Sequence, residues 1–325
     1  MTIEAQLNTI LEAAMDARAS DVYWLPSSEG YQICWQAGGQ LRAVETLTAV
    51  NAQQLINHIK YNSNMAISDH RRPQLGAMTV TIGPQTLNLR ISAVGDFLDR
   101  ESLVIRLLYE AKVSGLNYVV PAQRQQLAAC LNRSGLILFA GPMGSGKTST
   151  MYDLVRQLSG QQLVMTIEDP VEIYEPEFLQ LQVNPLAEMT YPALLKVGLR
   201  HHPDVFMIGE IRDAQTAQIA VQAALSGHLV LSTIHARGVY GIAARLAQLG
   251  VPVETLQEAL TAASYQRLVP LTDGRMGTLF DVLEMPQPLH SNAARLMTPQ
   301  WGRLIDEQLA AGRFTPATAT KLKEA

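Results

Sequence analysis

A glycine-rich stretch, GPMGSGKT, has the residue types and spacing of a phosphate-binding P-loop. Its glycines let backbone N–H groups converge on phosphate oxygens, and the helix predicted after the loop adds a favourable dipole. We expect the Lys147 ammonium to reach the β- and γ-phosphates of a nucleotide and the Thr148 hydroxyl to bind Mg²⁺. The residues predicted to contact the nucleotide are Gly141, Pro142, Met143, Gly144, Ser145, Gly146, Lys147, Thr148 and Ser149.

Three acidic residues stand at the ends of apolar stretches. Glu168 and Asp169 follow LVMTI, and Glu210 follows VFMIG. Many P-loop enzymes carry an acidic residue at the position of Gly209, where it helps to hold Mg²⁺. Because ligands of open α/β sheets bind beyond the carboxyl ends of the strands, we expect Glu168 or Asp169 to supply that carboxylate. Glu210 is then predicted to orient the attacking water.

Each of these assignments has a simpler alternative. A glycine turn with an exposed lysine is the alternative to the P-loop, and the strand and helix around the loop argue against it. The acidic pair could instead cap a turn before Pro170. The stretch HLVLSTI ends in His235, at the same predicted edge, but a single histidine often has only a structural role.

The elements that must position these residues belong to two predicted domains. The apolar strands LILFA, LVMTI, VFMIG and HLVLST alternate with helical stretches, which predicts a largely parallel α/β sheet and a tail of short helices. Before them an α+β pattern begins with an amphipathic helix and continues through DVYWL, YQICW, TLNLRISAV and SLVIRLL. The segment AKVSGLNYVVP separates the two patterns. We predict an N-terminal domain over 1–112, a linker over 113–121 and a second domain over 122–325.

Composition excludes several classes of function. The net charge of −4 and the sequence pI of about 6.0 show no global attraction to nucleic acid, so direct nucleic-acid binding is not expected. No apolar run approaches the ~18 residues of a membrane span, and the first residues lack the pattern of a signal peptide. Cys34 and Cys130 are far apart in the sequence and form no metal-binding pair. We therefore expect a cytoplasmic protein.

Four blocks together resemble the secretion ATPases that drive type II secretion, type IV pili and DNA-uptake pseudopili. GPMGSGKTSTMY is similar to their Walker A motif, MTIEDPVE to their Asp box, LRHHPDVFMIGEIRD to their Walker B motif and SGHLVLSTIHA to their His box. The resemblance implies a RecA-like P-loop ATPase domain of the α/β class with a smaller α+β, PAS-like N-terminal domain. It also implies MgATP hydrolysis, a γ-phosphate-sensing role for His228 and a supporting role for His235.

Upstream, DHRRPQLG and LRISAVGDFLDRESLVIRLL resemble the N-terminal domain of this family. The resemblance implies that Arg90, Arg100 and Arg106 meet the charge of the nucleotide, some of them across a subunit boundary, in a homohexameric ring. The alternative is strand arginines exposed to solvent. A motor that lifts pilins from a membrane must act through a polytopic inner-membrane platform protein, so we expect peripheral attachment to the cytoplasmic face through that partner.

Some positions depart from the family pattern. The usual Ser-Asp-x-His reads Ser20-Asp21-Val22-Tyr23 here, and the arginine-containing strand that normally comes next reads ICWQAGG. Only Leu-Thr-Asp separates QRLVP from GRMG, where type II secretion ATPases carry a four-cysteine zinc insert, so no zinc is expected. The signature of retraction ATPases is also missing. The chain is therefore most similar to the competence pilus assembly ATPases of Gram-positive bacteria.

Three other functions fit parts of the sequence. A helicase or DNA-translocating ATPase shares P-loop chemistry but needs a basic channel with aromatic residues. A nucleotide-gated scaffold that does not hydrolyse ATP could lose Lys147, Thr148, Glu168 or Glu210, yet all four are present. A metabolic kinase would leave the N-terminal domain unexplained.

Overall fold

The computed structural model describes residues 2–37, 40–109, 116–287 and 296–324. The chain divides into two compact units, Met1–Ala111 with Glu172–Tyr174 and Lys112–Val171 with Glu175–Ala325. The first three residues of the predicted linker, 113–115, and the first five of the predicted C-terminal tail, 291–295, lie outside the described residues. Among the described helices, none is long and apolar enough to cross a membrane.

The first unit is a six-stranded antiparallel sheet with two helices against it. Its elements are α1 (Ile3–Asp16), β1 (Asp21–Ser27), β2 (Gly30–Ala37), β3 (Gln40–Leu47), α2 (Ala49–Asn62), β4 (Gln74–Ile82), β5 (Gln85–Gly95) and β6 (Glu101–Leu108). The strand order is β3-β2-β1-β6-β5-β4. Thr2 caps α1 by accepting a hydrogen bond from the backbone N–H of Ala5, which fixes where this helix begins.

Buried and more exposed side chains alternate along the central strands, and the buried ones form the core of this unit. Successive side chains of a strand point to opposite faces, and on β6 the residues Leu103, Ile105 and Leu107 are buried while Arg106 is exposed. The buried face packs against the apolar sides of α1 and α2. The arginines on these strands therefore lie on the face away from the helices.

The second unit is a seven-stranded sheet with helices. Its elements are α3 (Pro121–Cys130), β7 (Gly135–Ala140), α4 (Lys147–Val155), β8 (Val164–Glu168), β9 (Leu179–Gln182), α5 (Tyr191–Arg200), β10 (Val205–Glu210), α6 (Ala214–Leu225), β11 (Leu229–Ile234), α7 (Gly241–Gln248), α8 (Val253–Ala259), β12 (Leu260–Pro270), β13 (Met276–Glu284), α9 (Pro299–Ala310) and α10 (Pro316–Lys323). Short 3₁₀ turns occupy Arg156–Leu158 and Pro185–Ala187.

The strand order is β13-β12-β7-β11-β10-β8-β9, and every pair in it is parallel except β12 with β13. Strands β7 and β11 are buried along their whole length, as expected for parallel strands covered on both faces. The mixed α/β architecture confirms the predicted fold class. The order also separates β7, which leads into the P-loop, from β10 by one strand, β11.

The predicted helices and apolar strands are present, including α10, which begins after Thr315. Five strands were not predicted: β3, β4, β9, β12 and β13. Strand β3 is exposed along nearly its whole length, so its sequence carries no burial pattern. Strand β12 buries polar residues, among them Ser264 and Gln266, which hides it from any search for apolar runs.

Candidate nucleotide site

The P-loop connects β7 to α4 through three glycines with positive φ. Gly141, Gly144 and Gly146 have φ values of 145°, 71° and 84°, a range that side chains disfavour. Gly146 is the N-cap of α4, so the loop ends at the positive end of that helix dipole. The Lys147 ammonium donates to the carbonyl oxygens of Gly141 and Pro142, both at 2.9 Å. The predicted loop thus has the backbone that phosphate binding requires.

The ends of β8, β10 and β11 bring the predicted acids and one histidine to the same edge of the sheet. Glu168 is the last residue of β8, Glu210 the last of β10, and His235 follows β11. His235 Nε2 lies 3.4 Å from Glu210 Oε2. Because β11 lies between β7 and β10, His235 follows the strand that separates the P-loop strand from the strand of Glu210.

The glycine before Glu210 is explained by close packing. A Cβ atom at Gly209 would lie 2.9 Å from the Tyr191 hydroxyl oxygen and 3.4 Å from Glu168 Cα. The register between β10 and β11 also shifts between Ile208 and Glu210, as in a β-bulge. A side chain at position 209 would require the Tyr191 hydroxyl to shift. Glu168 and Asp169, at the end of the adjacent strand β8, are the carboxylates available here.

Glu210 is held between two basic side chains. Its Oε1 accepts a hydrogen bond from Arg212, and its side chain is only 18% exposed. Burial alone raises the pKa of Glu210, but the hydrogen bond and charge of Arg212, with the charge of His235, outweigh burial and hold this pKa below its ordinary value. A carboxylate that stays ionised in this way can orient a water molecule but is a weak proton acceptor.

Arg212 was not among the site residues predicted from the sequence. It lies two residues after Glu210 and also stands 4.0 Å from a carboxylate oxygen of Asp169, so it links both acidic strand ends. The signal was present in the block LRHHPDVFMIGEIRD, where an arginine comes shortly after the predicted water-orienting glutamate.

Glu168 differs from Glu210 in that two neutral hydroxyl groups donate hydrogen bonds to it. Its Oε1 accepts hydrogen bonds from the hydroxyls of Tyr152 and Thr166, both at 2.7 Å, and the residue is 3% exposed. Gln180 donates in turn to the Tyr152 hydroxyl oxygen at 2.6 Å. Burial, and then the charge of Glu168, raise the pKa of Tyr152, so its hydroxyl remains a donor. Tyr152 lies one helical turn after Thr148 on α4 and was not predicted as a site residue.

His228 lies at the opposite end of the parallel strands from the P-loop. It precedes β11, and its carbonyl oxygen accepts a hydrogen bond from the backbone N–H of Gly135, the first residue of β7. The P-loop begins at the other end of β7, so six residues of strand, about 20 Å, separate the two. The structure thus does not bring His228 to the P-loop of its own unit, and its γ-phosphate-sensing role stays a prediction. His235 is the histidine at the P-loop edge.

The three predicted arginines belong to the first unit. Arg90 and Arg106 are directly opposite each other in the β5–β6 pair. Arg106 Nε donates to a carboxylate oxygen of Asp21 at 2.8 Å, so the aspartate of the divergent Ser20-Asp21 motif anchors this arginine. Arg100 instead forms an ion pair with Asp96 at 2.8 Å, four residues earlier in the chain. The structure brings the first two together and turns Arg100 toward its own loop.

Comparisons with known proteins place the chain in a family. Residues 1–313 match the model of the family described as type II/IV secretion system protein. The chain is 36% identical to the competence protein ComGA of Streptococcus pneumoniae, over 95% of both chains. It is also 36% identical to the Bacillus subtilis ComGA, over 83% of this chain and 77% of that protein.

Among solved structures, the fold resembles that of the pilus retraction motor PilT with bound ADP. The TM-score is 0.75 at 21% identity, with 97% of this chain and 96% of PilT covered. The Legionella pneumophila ATPase DotB gives a TM-score of 0.71 at 20% identity over 98% and 95% of the two chains. These matches confirm the fold class and family predicted from the sequence. The chain belongs to the type II/IV secretion system protein family.

Proposed function

We propose that this protein is an ATP-hydrolysing motor that powers assembly of a competence pilus for DNA uptake. The observation that carries the proposal is that the P-loop and the acidic strand end of Glu210 follow parallel strands one strand apart, at the same end of the sheet. The similarity to two ComGA proteins over most of the chain supports the competence system as the setting.

The residues present fit a magnesium nucleotide. Glycines with left-handed backbone form the phosphate loop, Lys147 supplies a cation, and the available ligands for Mg²⁺ are the Thr148 hydroxyl with the carboxylate of Glu168 or Asp169. Oxygen ligands are those that Mg²⁺ prefers. A bound Mg²⁺ would neutralise charge on the phosphates. Lys147 then exchanges its two loop carbonyls for phosphate oxygens, and Glu210 orients the attacking water.

Glu210 is paired with Arg212 before any nucleotide binds, and this pairing favours the charged carboxylate that is to orient the water. A lowered pKa suits a group that holds water by hydrogen bonding. His235, at 3.4 Å from the same carboxylate, is placed to report on the γ-phosphate. We assign the sensing role to His235 for this reason.

We further propose that the active form is a homohexamer in which Arg90 and Arg106 serve a neighbouring subunit. Arginines stabilise the charge that spreads over a transferring phosphoryl group. Mixing Arg106→Ala subunits with Lys147→Ala subunits tests this proposal. Each variant alone should be inactive, and mixed rings should regain activity where an intact arginine meets an intact P-loop. Mixed rings that stay inactive would refute supply from a neighbour.

The proposed partner is a polytopic inner-membrane platform protein, which would hold the motor at the cytoplasmic face of the membrane. Extracting a pilin means removing ~20 apolar residues from lipid, at a cost of about 0.8 kcal/mol per CH₂ group, so a membrane-embedded partner must transmit the work. Cell fractionation with and without the platform protein tests this. A motor that stays on membranes lacking the platform would exclude it as the anchor.

The decisive experiment for the function is Lys147→Ala in the native organism. We expect loss of ATP hydrolysis in the purified protein, loss of pili by imaging and loss of natural transformation. Salt-dependent binding of single-stranded DNA by the purified protein would instead favour a DNA-translocating ATPase. Normal piliation with an inactive ATPase would favour a scaffold.

A further inference from the structure

We propose that Gln266 is a positioning residue that holds the P-loop in its phosphate-binding conformation. The proposal rests on the assignment of the P-loop as the nucleotide site. Gln266 is fully buried on β12, and its Nε2 donates a hydrogen bond to the carbonyl oxygen of Ser145 at 2.6 Å. Ser145 is the fifth residue of the GPMGSGKT loop.

Strand register places Gln266 beside the start of the loop. Strands β12 and β7 are parallel, and Tyr265 is paired with Ala140, the last residue of β7. The next residue on each strand is Gln266 and Gly141. A Cβ atom at Gly141 would lie only 2.3 Å from the carbonyl oxygen of Gln266, so the loop leaves the sheet in direct contact with this residue.

The side chain also packs beneath the last glycine of the loop. A Cβ atom at Gly146 would lie 3.2 Å from Gln266 Nε2. Gln266 therefore contacts both ends of the loop, through its backbone at Gly141 and through its side chain at Ser145 and Gly146. These contacts come from a strand that the P-loop motif does not include.

Peptide geometry explains why this hydrogen bond matters for phosphate. The carbonyl of Ser145 and the N–H of Gly146 belong to one planar trans peptide, so they point in opposite directions. Holding the carbonyl toward the buried Gln266 aims the N–H away from the sheet core. N–H groups of a P-loop must converge on phosphate oxygens. Gln266 thus sets the direction of a phosphate-binding donor without touching the nucleotide.

A purely structural role would give a different result, and the chain offers a matched control. Gln123, in the same unit, also forms hydrogen bonds with its side-chain amide to the backbone of another segment. It donates to the carbonyl oxygen of Phe280 at 2.5 Å and accepts from the N–H of that residue at 3.2 Å. Both glutamines stabilise a segment of the same unit, but the contacts of Gln266 are to the P-loop and those of Gln123 are to β13.

The test replaces each glutamine with methionine, which keeps the approximate shape and removes the donor. We expect Gln266→Met to weaken MgADP binding about tenfold, the change expected if the loop is binding-competent only about a tenth of the time. The turnover number at saturating ATP should stay within about twofold. Gln123→Met should lower the thermal midpoint of unfolding and leave MgADP affinity unchanged.

Several outcomes would overturn the proposal. Wild-type affinity in Gln266→Met would do so, as would equal losses of affinity in the two glutamine variants. Lys147→Ala is measured in parallel: if it binds MgADP like wild type, the P-loop assignment itself fails. If only Lys147→Ala loses affinity, the P-loop assignment stands and the role of Gln266 is wrong. Gln266→Asn, which retains an amide but is one methylene shorter, provides the same test if the methionine variant does not fold.

Discussion

Two glutamates end neighbouring strands of one sheet, yet their surroundings differ. Glu210, at the end of β10, is paired with Arg212 and stands near His235. Glu168, at the end of β8, is more deeply buried and accepts hydrogen bonds from the neutral hydroxyls of Tyr152 and Thr166. Residue type and strand position are the same, so the neighbours decide what each carboxylate can do.

In the proposed mechanism, Glu210 orients water, whereas Glu168 is fixed by its hydrogen bonds. The hydrogen bond and charge of Arg212 help to hold the pKa of Glu210 below its ordinary value. Neutral donors satisfy the side chain of Glu168, because a buried polar group needs hydrogen bonds to remain stable. We expect substitutions at the β10 end to change turnover first, and substitutions around Glu168 to change stability and magnesium dependence.

The largest expected effect is that of Glu210→Gln. The amide keeps the shape but loses the charge that orients water, so turnover should fall by about 10² or more while ATP affinity is kept. Steady-state hydrolysis and equilibrium binding measure the two quantities. Glu168→Gln, as the paired variant, should instead raise the Mg²⁺ concentration needed for activity. Wild-type turnover in Glu210→Gln would abolish the distinction between the two strand ends.

Tyr152→Phe tests the network that holds Glu168. Removing the hydroxyl deletes a hydrogen bond to a buried carboxylate, which should lower the free energy of unfolding by about 1.5–3 kcal/mol. Denaturant unfolding of the nucleotide-free protein measures this. Tyr23→Phe is the control, since its hydroxyl bonds to the neutral amide of Gln36 in the first unit. An equal, small loss in both variants would show that Glu168 does not depend on Tyr152.

A smaller effect on turnover is expected from the two histidines that flank β11, and the two should differ. His235→Ala should reduce the turnover number about fivefold, the scale of one lost hydrogen bond near the reacting phosphate. His228→Ala should leave turnover nearly unchanged, because His228 is at the far edge of the sheet and its ring bonds locally, with the carbonyl oxygen of Ala223. A larger loss of activity in His228→Ala than in His235→Ala would contradict the geometry.

The smallest effect on activity at neutral pH is expected when the charge of Arg212 is removed. In Arg212→Ala the raising effect of burial on the pKa of Glu210 is no longer outweighed, so this pKa should rise. A carboxyl with a higher pKa protonates earlier as pH falls, so activity should be lost at a higher pH than in wild type. A profile of kcat/KM from acidic to neutral pH measures the shift. Arg275→Ala is the control, because that arginine pairs with Asp273 in an exposed turn. An unmoved acidic limb would show that Arg212 does not set the pKa of Glu210.

Much of the site could be predicted because its signals are local. The P-loop needs glycines and a lysine at fixed spacing, and the structure places Gly141, Gly144 and Gly146 in the positive-φ conformations that such a loop requires. The acids were predicted from their positions at the ends of apolar stretches, and Glu168 and Glu210 indeed end β8 and β10. Periodicity likewise located α1 and the central strands of the first unit.

Apart from Arg212, which lies two residues after Glu210, the residues that were not predicted act through contacts between distant segments. Tyr152 reaches Glu168 across sixteen residues, and Gln266 reaches Ser145 across 121. Their side chains are polar yet buried, so hydropathy patterns do not separate them from surface residues. Strand β12, which carries Gln266, escaped prediction for the same reason.

The sequence by itself determined the glycine-rich loop between strand and helix, the acidic strand ends, the α/β class and the family, because each depends on residue types at short, fixed spacing. Only the tertiary structure decided which strands are neighbours. The order β7-β11-β10-β8 puts the end of β11 between the P-loop strand and the strand of Glu210, and this brings His235, already predicted at these strand ends, to Glu210. Strand order depends on packing of the whole sheet against its helices, and no local pattern encodes it.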